Sequence, residues 1–132
     1  MYTRYKSNNN MNQNSRYTET YKTNPFDKNE WGPKLWDVMH TFSFSYPINP
    51  NNNDKLAARN FFNSIGTLIP CKHCSQHCLE YTQRNPPRVN NKTDLIDWVY
   101  NFHNAVNQRL GKQFYPKNML MSKYENVAFC EV

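Results

Sequence analysis

The stretch WGPKLWDVMHTFSFSYP, residues 31–47, decides the fold class, because its apolar side chains recur at helical spacing. At i, i+4, i+7 and i+11 stand Leu35, Met39, Phe42 and Tyr46. Pro33 suits the first turn of a helix, and Pro47 ends the segment. The sequence therefore predicts a helix from about Trp31 to Pro47 with one apolar face.

Helical spacing continues beyond this segment. A second helix is predicted between Asp54, as its N-cap, and Pro70, since the residue before a proline resists the α conformation. A third, shorter helix is predicted from about Cys71 to Gln83.

Two more helical segments follow the loop at residues 84–92. Thr93 or Asp94 is expected to cap a fourth helix, and Gly111 stands where a C′ glycine is expected. A short fifth segment is predicted over Met119–Val127. No stretch alternates at period two, so the predicted fold class is all-α: a four-helix bundle with a short fifth helix.

Composition limits the class of protein further. The chain has 132 residues, the size of one domain, and 15% aromatic residues can build its core although only 38% of residues are hydrophobic. No apolar run is long enough to span a membrane, and the Asn-rich residues 1–24 contain no apolar signal segment. We expect residues 1–24 to form a disordered tail before one domain over residues 25–132, and we expect its removal to leave activity intact.

The charge of the chain is basic but scattered. Lys and Arg number 16 against 10 Asp and Glu, a net charge of +6, and they form no basic block. We therefore expect a generally basic surface, suited to an anionic cofactor, and no nucleic-acid partner. With only 3 Gly, the chain has no glycine-rich phosphate loop.

The segment PCKHCSQHC, residues 70–78, carries the most chemistry. Pro70 ends one helix and Cys71 opens the next, which places a C-x-x-C pair, Cys71 and Cys74, at a helix N-terminus. Free N–H groups and the helix dipole favour a thiolate there, and the short spacer allows a small disulfide ring. This interpretation is a redox-active dithiol for thiol–disulfide exchange.

Zinc binding is the alternative, with Cys71, Cys74 and Cys78 joined by His73 or His77. Structural zinc sites usually draw ligand pairs from two segments, and this chain has no second C-x-x-C. Cysteines at i, i+3 and i+7 lie along one stripe of a helix and surround a metal poorly, so we predict no metal ligands; an iron–sulfur cluster has the same difficulty.

Burial as small apolar side chains is the third interpretation of the cysteines. Polar neighbours argue against it for the C-x-x-C pair. For Cys78 and Cys130, taken singly, burial and function stay equally open.

A dithiol needs an electron acceptor, and two helices offer a place for one. Aromatic and imidazole side chains stand one turn apart on the first helix and again on the fourth, with lysines beyond: Trp36, His40 and Phe44; Tyr100, His103 and Asn107; Lys112, Lys123 and Tyr124. Such groups can stack on and pair with a phosphorylated aromatic cofactor.

At this point the chain resembles the FAD-linked sulfhydryl oxidases of the Erv/ALR type. Three stretches carry the resemblance in the family's order: WGPKLWDVMHTFSFSYP (31–47), PCKHC (70–74) and FHNAVNQRLGK (102–112). They contain W-x-x-x-H, C-x-x-C and H-N-x-V-N…L-G-K, and the resemblance covers about Lys28 to Tyr124. The Asn-rich bias and short chain resemble the versions carried by large DNA viruses.

The resemblance implies roles for particular residues. Cys74 is the sulfur nearest the flavin, and Cys71 is the outer sulfur that meets the incoming dithiol. The residues implied to bind FAD are Gly32, Trp36, His40, Phe44, Tyr46, His103, Asn104, Asn107, Lys112, Lys123 and Tyr124. Tyr124 stands where the family has tryptophan after a basic residue, so it is expected to stack in its place.

The implied reaction makes residues 25–132 an FAD-binding thiol oxidase domain. Substrate dithiols reduce the Cys71–Cys74 disulfide, and the electrons pass through FAD to dioxygen, giving hydrogen peroxide. Protein dithiols, such as a thioredoxin-like or viral redox protein, are the implied partners, and a homodimer through the first two helices is the implied assembly. Without a signal segment, the expected compartment is the cytoplasmic side: host cytoplasm or viral factory, and the virion.

Two departures from the family pattern concern other cysteines. Some members carry a second cysteine pair in a tail, whereas here the tails hold only Cys130. Gln83 and Lys117 stand where cellular relatives have a structural disulfide, so both partners of that bridge are missing together.

Overall fold

The chain forms a helical bundle in a computed structural model that describes residues 24–125. Its helices are α1 (Lys28–Ser45), α2 (Asn52–Leu68), α3 (Lys72–Arg84), α4 (Lys92–Arg109) and α5 (Lys117–Tyr124). Residues 24–125 contain no β-strand, which confirms the predicted all-α class. The predicted tail at residues 1–24, the end of the predicted fifth segment and Cys130 fall wholly or almost wholly outside the described residues.

The first helix begins earlier than predicted. Asp27 is its N-cap and accepts a hydrogen bond from the backbone N–H of Asn29 at 2.9 Å, and the indole of Trp31 donates to the carbonyl of Phe26 at 3.1 Å. Pro33 consequently lies inside α1 instead of in its first turn, so that prediction was wrong. The Asp27 N-cap bond and the Trp31 indole bond stabilise a helix that begins before Pro33, so the proline does not mark its first turn.

Asparagines cap two later helices, for which Asp54 and then Thr93 or Asp94 were predicted as caps. Asn51 caps α2 and accepts from the backbone N–H of Asp54, whose carboxylate accepts from the N–H of Asn51 in return. Asn91 caps α4 and accepts from the N–H of Asp94. The predicted caps Asp54 and Thr93 or Asp94 are therefore wrong by a turn or less, because the aspartates occupy the N3 position of these caps.

Gly111 ends α4 as predicted, with a φ of 67° in the left-handed region. Its N–H donates to the carbonyl of Gln108 at 3.2 Å, and the N–H of Lys112 donates to the carbonyl of Asn107 at 2.8 Å. These two bonds form a Schellman motif, which fixes Lys112 at the end of α4.

Helix α1 packs on α4 and α2 packs on α3, and one core lies between the pairs. The largest side chains of that core include Met39, Phe62, Leu95, Trp98 and Phe102. A second, smaller cluster seats α5 against α1 and α4 through Phe44, Ile96, Tyr100 and Leu120. None of the helices within residues 24–125 is long and apolar enough to cross a membrane.

Candidate active site

Cys71 is the N-cap of α3, as the sequence predicts. Its Sγ accepts a hydrogen bond from the backbone N–H of Cys74 at 3.2 Å. The pKa of the Cys71 thiol is lowered, first by the thiol of Cys74 as a hydrogen-bond donor and then by the backbone N–H groups of Cys74 and His73. Of the two cysteines, Cys71 is therefore the one that ionises more readily to a thiolate.

Cys74 has the opposite chemistry. Burial raises the pKa of its thiol, and donation to Cys71 raises it further. Cys74 lines a cavity between α1, α3 and α4, whereas Cys71 does not. The pair thus has one sulfur that faces an internal cavity and one that lies outside it.

Cys78 belongs to the core. It is 6% exposed, packs against Gly66 of α2, and has a thiol pKa raised to about 11 by burial. A thiol with that pKa is almost fully protonated at neutral pH, so this structure favours the burial interpretation for Cys78.

The two histidines of the segment lie beside the dithiol without forming a metal centre with it. His73 and His77 contact each other, with their Nε2 atoms 3.2 Å apart. In residues 24–125 no group of three or more His, Cys, Asp or Glu side chains is arranged to hold a metal ion. The zinc alternative therefore finds no ligand set in the described part of the chain.

Trp36 and the two remaining histidines form a compact cluster between α1 and α4. The rings of Trp36 and His103 stack with centroids 4.1 Å apart and an interplanar angle of 8°. His40 Nε2 lies 2.8 Å from His103 Nδ1, so one of these nitrogens donates to the other. The W-x-x-x-H spacing on α1 thus brings both side chains against the same histidine of α4.

Both histidines of this cluster are held neutral. Burial lowers the pKa of His40 to about 4, and the neighbouring His103 adds to the effect. Burial also lowers the pKa of His103 to about 4, with Lys112 contributing. His40 Nδ1 is buried and has no hydrogen-bond partner within the described residues. An unpartnered buried nitrogen is costly, and a bound ligand would satisfy it.

Two adjoining cavities flank this cluster, of about 310 and 260 Å³. They share Gly32, Trp36, Val106, Leu110 and Lys112. Cys74 lines the larger cavity, and His40 and His103 line the smaller one. We call the two adjoining cavities together the cleft, with Cys74 on its larger part and the histidine pair on its smaller part.

Eight of the eleven residues predicted to bind a cofactor line this cleft: Gly32, Trp36, His40, His103, Asn107, Lys112, Lys123 and Tyr124. Phe44 lies one layer behind, with its ring 5.5 Å from that of Tyr124. Asn104 acts on the wall indirectly, because its side-chain amide both donates to and accepts from the backbone of Tyr115.

Tyr46, also predicted to bind the cofactor, lines neither cavity of the cleft. Its ring is part of the core and its hydroxyl donates to the carbonyl of Val89 at 2.7 Å. The reason is its position at the C-cap of α1, where the chain has left the helical face that carries Trp36 and His40.

Several cleft residues were not predicted from the sequence. On the larger cavity they include Lys28, Leu35, Tyr81, Arg84 and Arg109, and on the smaller one Asp37 and Tyr115. Tyr81 follows Cys74 by seven residues on α3, so helical spacing could have indicated it. Tyr115 lies in the loop before α5 and is placed by Asn104, which no local pattern reveals.

Comparison with known proteins places this architecture in a family. The family model described as Erv1 / Alr matches residues 33–125. An FAD-linked sulfhydryl oxidase of African swine fever virus (isolate Pig/Kenya/KEN-50/1950) is 34% identical over 97 residues, covering 74% of this chain and 78% of that protein. The crystal structure of the yeast Erv1 core superimposes with a TM-score of 0.74 at 28% identity, over 80% of this chain and 89% of that one. The FAD binding domain of Erv1 from Saccharomyces cerevisiae gives a TM-score of 0.72 at 27% identity, over 76% and 95%. The chain therefore belongs to the Erv1 / Alr family.

Proposed function

We propose that this chain is an FAD-linked sulfhydryl oxidase whose C-x-x-C pair oxidises dithiols to disulfides. One observation carries the proposal: the inner sulfur, Cys74, lines a cavity that adjoins the cavity of His40 and His103 and shares the Trp36 wall with it. The function agrees with the names of the relatives, which are FAD-linked sulfhydryl oxidases.

The residues present fit the cofactor. His40 Nδ1 is a buried polar atom that lacks a partner, beside a flat wall of stacked Trp36 and His103. Apart from the neighbouring residues and the backbone of α1 itself, no atom lies within 4 Å of the position that a Cβ on Gly32 would take, which leaves space along α1. Exposed cations line the larger cavity and suit a diphosphate: Lys28, Arg84, Arg109 and Lys112.

FAD, when bound, accepts two electrons from the reduced dithiol and delivers them to dioxygen, giving hydrogen peroxide. The chain's own part is to orient this group and to keep Cys74 at the edge of the cleft. Since both histidines of the cluster are neutral, one N–H of the pair stays available as a donor.

Thiol–disulfide exchange is the step that the cysteines perform. A substrate thiolate attacks Cys71 of the Cys71–Cys74 disulfide, forms a mixed disulfide and releases Cys74. The second substrate thiolate then attacks the substrate sulfur of that bond, so the substrate disulfide forms and Cys71 leaves as a thiolate. Two electrons have passed to the pair. Access directs the first attack to Cys71, which lies outside the cavity that Cys74 lines. The lowered pKa of Cys71 then makes it a good leaving group in the second step.

The substrate class follows from this chemistry. Cys71 lies outside the cavity, at the exposed N-terminus of α3, where a folded protein can approach it. We therefore propose protein dithiols as the physiological substrates.

The assembly we propose is a homodimer through α1 and α2. These helices expose neighbouring apolar side chains, with Val38 41%, Phe42 47% and Leu56 53% exposed. Phe42 contacts Phe61 across the two helices, at 5.1 Å between ring centroids, beside a groove of about 350 Å³. Light scattering on wild type and Phe42→Glu tests it: a dimer that the substitution dissociates supports the proposal, and a monomeric wild type contradicts it.

The function is tested by the visible absorption spectrum of the purified protein, with zinc assayed on the same sample. We expect flavin bands at about one per chain that dithiothreitol bleaches without oxygen and that air restores. Cys74→Ser should keep the flavin but lose both the bleaching and the turnover. A colourless protein that holds zinc would contradict the proposal and favour the zinc alternative.

A further inference from the structure

Asp37 lies on α1, next to Trp36, and is held by two donors from α5. Lys123 Nζ donates to Asp37 Oδ1 at 2.7 Å, and the Tyr124 hydroxyl donates to the same oxygen at 2.5 Å. Asp37 is not among the residues predicted to bind a cofactor, yet it lines the smaller cavity together with both donors. These contacts join the last turn of α5 to the helix that carries Trp36 and His40.

Tyr124 forms part of the wall of that cavity. Its ring lies 5.4 Å from the ring of His40 and stacks on Phe44 with centroids 5.5 Å apart. The Tyr124 ring has little freedom to rotate, because its hydroxyl is hydrogen-bonded to Asp37 and its face stacks on Phe44. The edge of the cavity nearest His40 is thus set by Tyr124.

The remaining attachments of α5 lie nearer its start and middle. Leu120 is fully buried, and Lys117 forms an ion pair with Asp97 at 2.6 Å. Pro116 supplies no side-chain hydrogen bond as the N-cap. The end of the helix, where Tyr124 stands, is joined to α1 by polar bonds through Asp37.

Building on the proposed function, we infer that Asp37 is a positioning residue of the cofactor site, which binds the Tyr124 hydroxyl and so holds that ring against His40 to close the cavity around FAD. Asp37 acts here through Tyr124 and not by contact with the reacting atoms. The Asp37 carboxylate can face the cleft of a protein that binds an anionic cofactor because two donors from α5 bind its oxygen.

The protonation states agree with these roles. Lys123 and then Tyr124 lower the pKa of Asp37 by hydrogen bonding, so the carboxylate acts only as an acceptor. Burial, and then Asp37, raises the pKa of Tyr124 to about 12, so the phenol keeps the proton that it donates.

A double-mutant cycle on the full-length holoenzyme tests the inference. The dissociation constant of FAD is measured by dilution, from recovery of flavin fluorescence, for wild type, Asp37→Asn, Tyr124→Phe and the double variant. Tyr124→Phe removes the hydrogen bond to the charged Asp37, and Asp37→Asn removes that charge together with the ion pair to Lys123, so each single change is expected to weaken binding about tenfold. The free-energy loss in the double variant should be smaller than the sum of the two single losses, because both changes act on the bond between Asp37 and Tyr124.

Asp97→Asn is the matched control. It breaks the other ion pair of α5, to Lys117, on a carboxylate that lines neither cavity of the cleft. Circular dichroism checks that all variants are folded, and Tyr124→Phe removes only a hydroxyl, so it keeps the test valid if Asp37→Asn unfolds. Tyr124→Trp supplies an indole N–H in place of the hydroxyl and is expected to restore binding towards the wild-type value.

The outcomes separate clearly. Unchanged FAD binding in Asp37→Asn, additive effects in the double variant, or an equal loss in Asp97→Asn would overturn the positioning role while leaving the oxidase proposal in place. A wild-type protein that binds no FAD overturns both. Coupled losses in Asp37→Asn and Tyr124→Phe, with Asp97→Asn unchanged, support the inference.

Discussion

His103 of α4 stacks on Trp36 of α1 with ring centroids 4.1 Å apart and an angle of 8° between the planes. The same imidazole lies 2.8 Å from His40 Nε2. One side chain of α4 therefore meets both residues of the W-x-x-x-H motif, and the wall of the cleft depends on all three rings.

Replacing Trp36 by leucine should remove the flat face of the cleft. We expect Trp36→Leu to lose most of its bound flavin and to lower the free energy of unfolding by about 2 kcal/mol, since the indole also packs edge-on against Phe102. Flavin content after gel filtration and urea unfolding measure the two effects. Trp36→Phe keeps an aromatic face and should bind better than the leucine variant. Full flavin content in Trp36→Leu would contradict the assigned role.

The histidine pair makes stability depend on pH in a defined direction. His40 and His103 have folded-state pKa values near 4, below the ordinary 6.5, so the unfolded chain binds protons first as the pH falls. The contribution of the neutral pair to the free energy of unfolding is therefore fully present above about pH 6.5 and is lost progressively towards pH 4.

Thermal unfolding between neutral pH and pH 4 checks this expectation. The melting temperature should fall steadily below about pH 6.5, and flavin should be released over the same interval. His73→Asn, on the exposed face of α3, serves as the control and should show the same pH profile as wild type. A melting temperature that stays level down to pH 4 would contradict the buried, neutral state of the pair.

The helices could be predicted from the sequence because apolar spacing and local stop signals act over a few residues. Gly111 and the start of α3 after Pro70 are signals of this kind. The caps were less certain, because asparagine and aspartate are comparable N-caps. Only the reciprocal bonds between Asn51 and Asp54 show which of the two residues begins the helix.

Cleft residues that lie on one face of a helix could be predicted from the sequence. Cleft contacts between separate segments of the chain could not. Trp36, His40 and His103 stand in motifs, and the structure brings them together. Asp37 points to donors 86 and 87 residues away in sequence, a relationship that no local pattern contains. Tyr46 lies away from the cleft because it is the C-cap of α1, where the helical face that carries Trp36 and His40 ends.

The three cysteines of residues 70–78 should separate in function. Cys71→Ser is expected to abolish exchange with a protein dithiol, because it removes the outer sulfur. Cys78→Ala should keep turnover near the wild-type rate and cost about 1 kcal/mol of stability, since it removes a buried sulfur that is part of the core and of the wall of the larger cavity. Oxygen consumption with a reduced protein substrate and urea unfolding give both quantities. Loss of turnover in a folded Cys78→Ala protein would assign that thiol to the electron path.

Gly66 is a point of close approach between α2 and α3. A Cβ placed there would lie 3.0 Å from Leu79 Cγ and 3.2 Å from Cys78 Sγ. The Ser75 hydroxyl donates to the Gly66 carbonyl at 2.5 Å and holds the two helices together at this point.

Alanine at position 66 should therefore destabilise the protein. The gain in helix propensity is about 1 kcal/mol, whereas overpacking costs roughly 1–3 kcal/mol, so we expect a net loss of about 1 kcal/mol in Gly66→Ala. Urea unfolding of Gly66→Ala, Leu79→Ala and the double variant tests the cause. Because Leu79→Ala removes the clashing carbons, the double variant should be more stable than the sum of the single losses predicts. Simple additivity would show that the added methyl acts elsewhere, whereas a favourable coupling would establish that contact with Leu79 sets the distance between α2 and the helix that carries the dithiol.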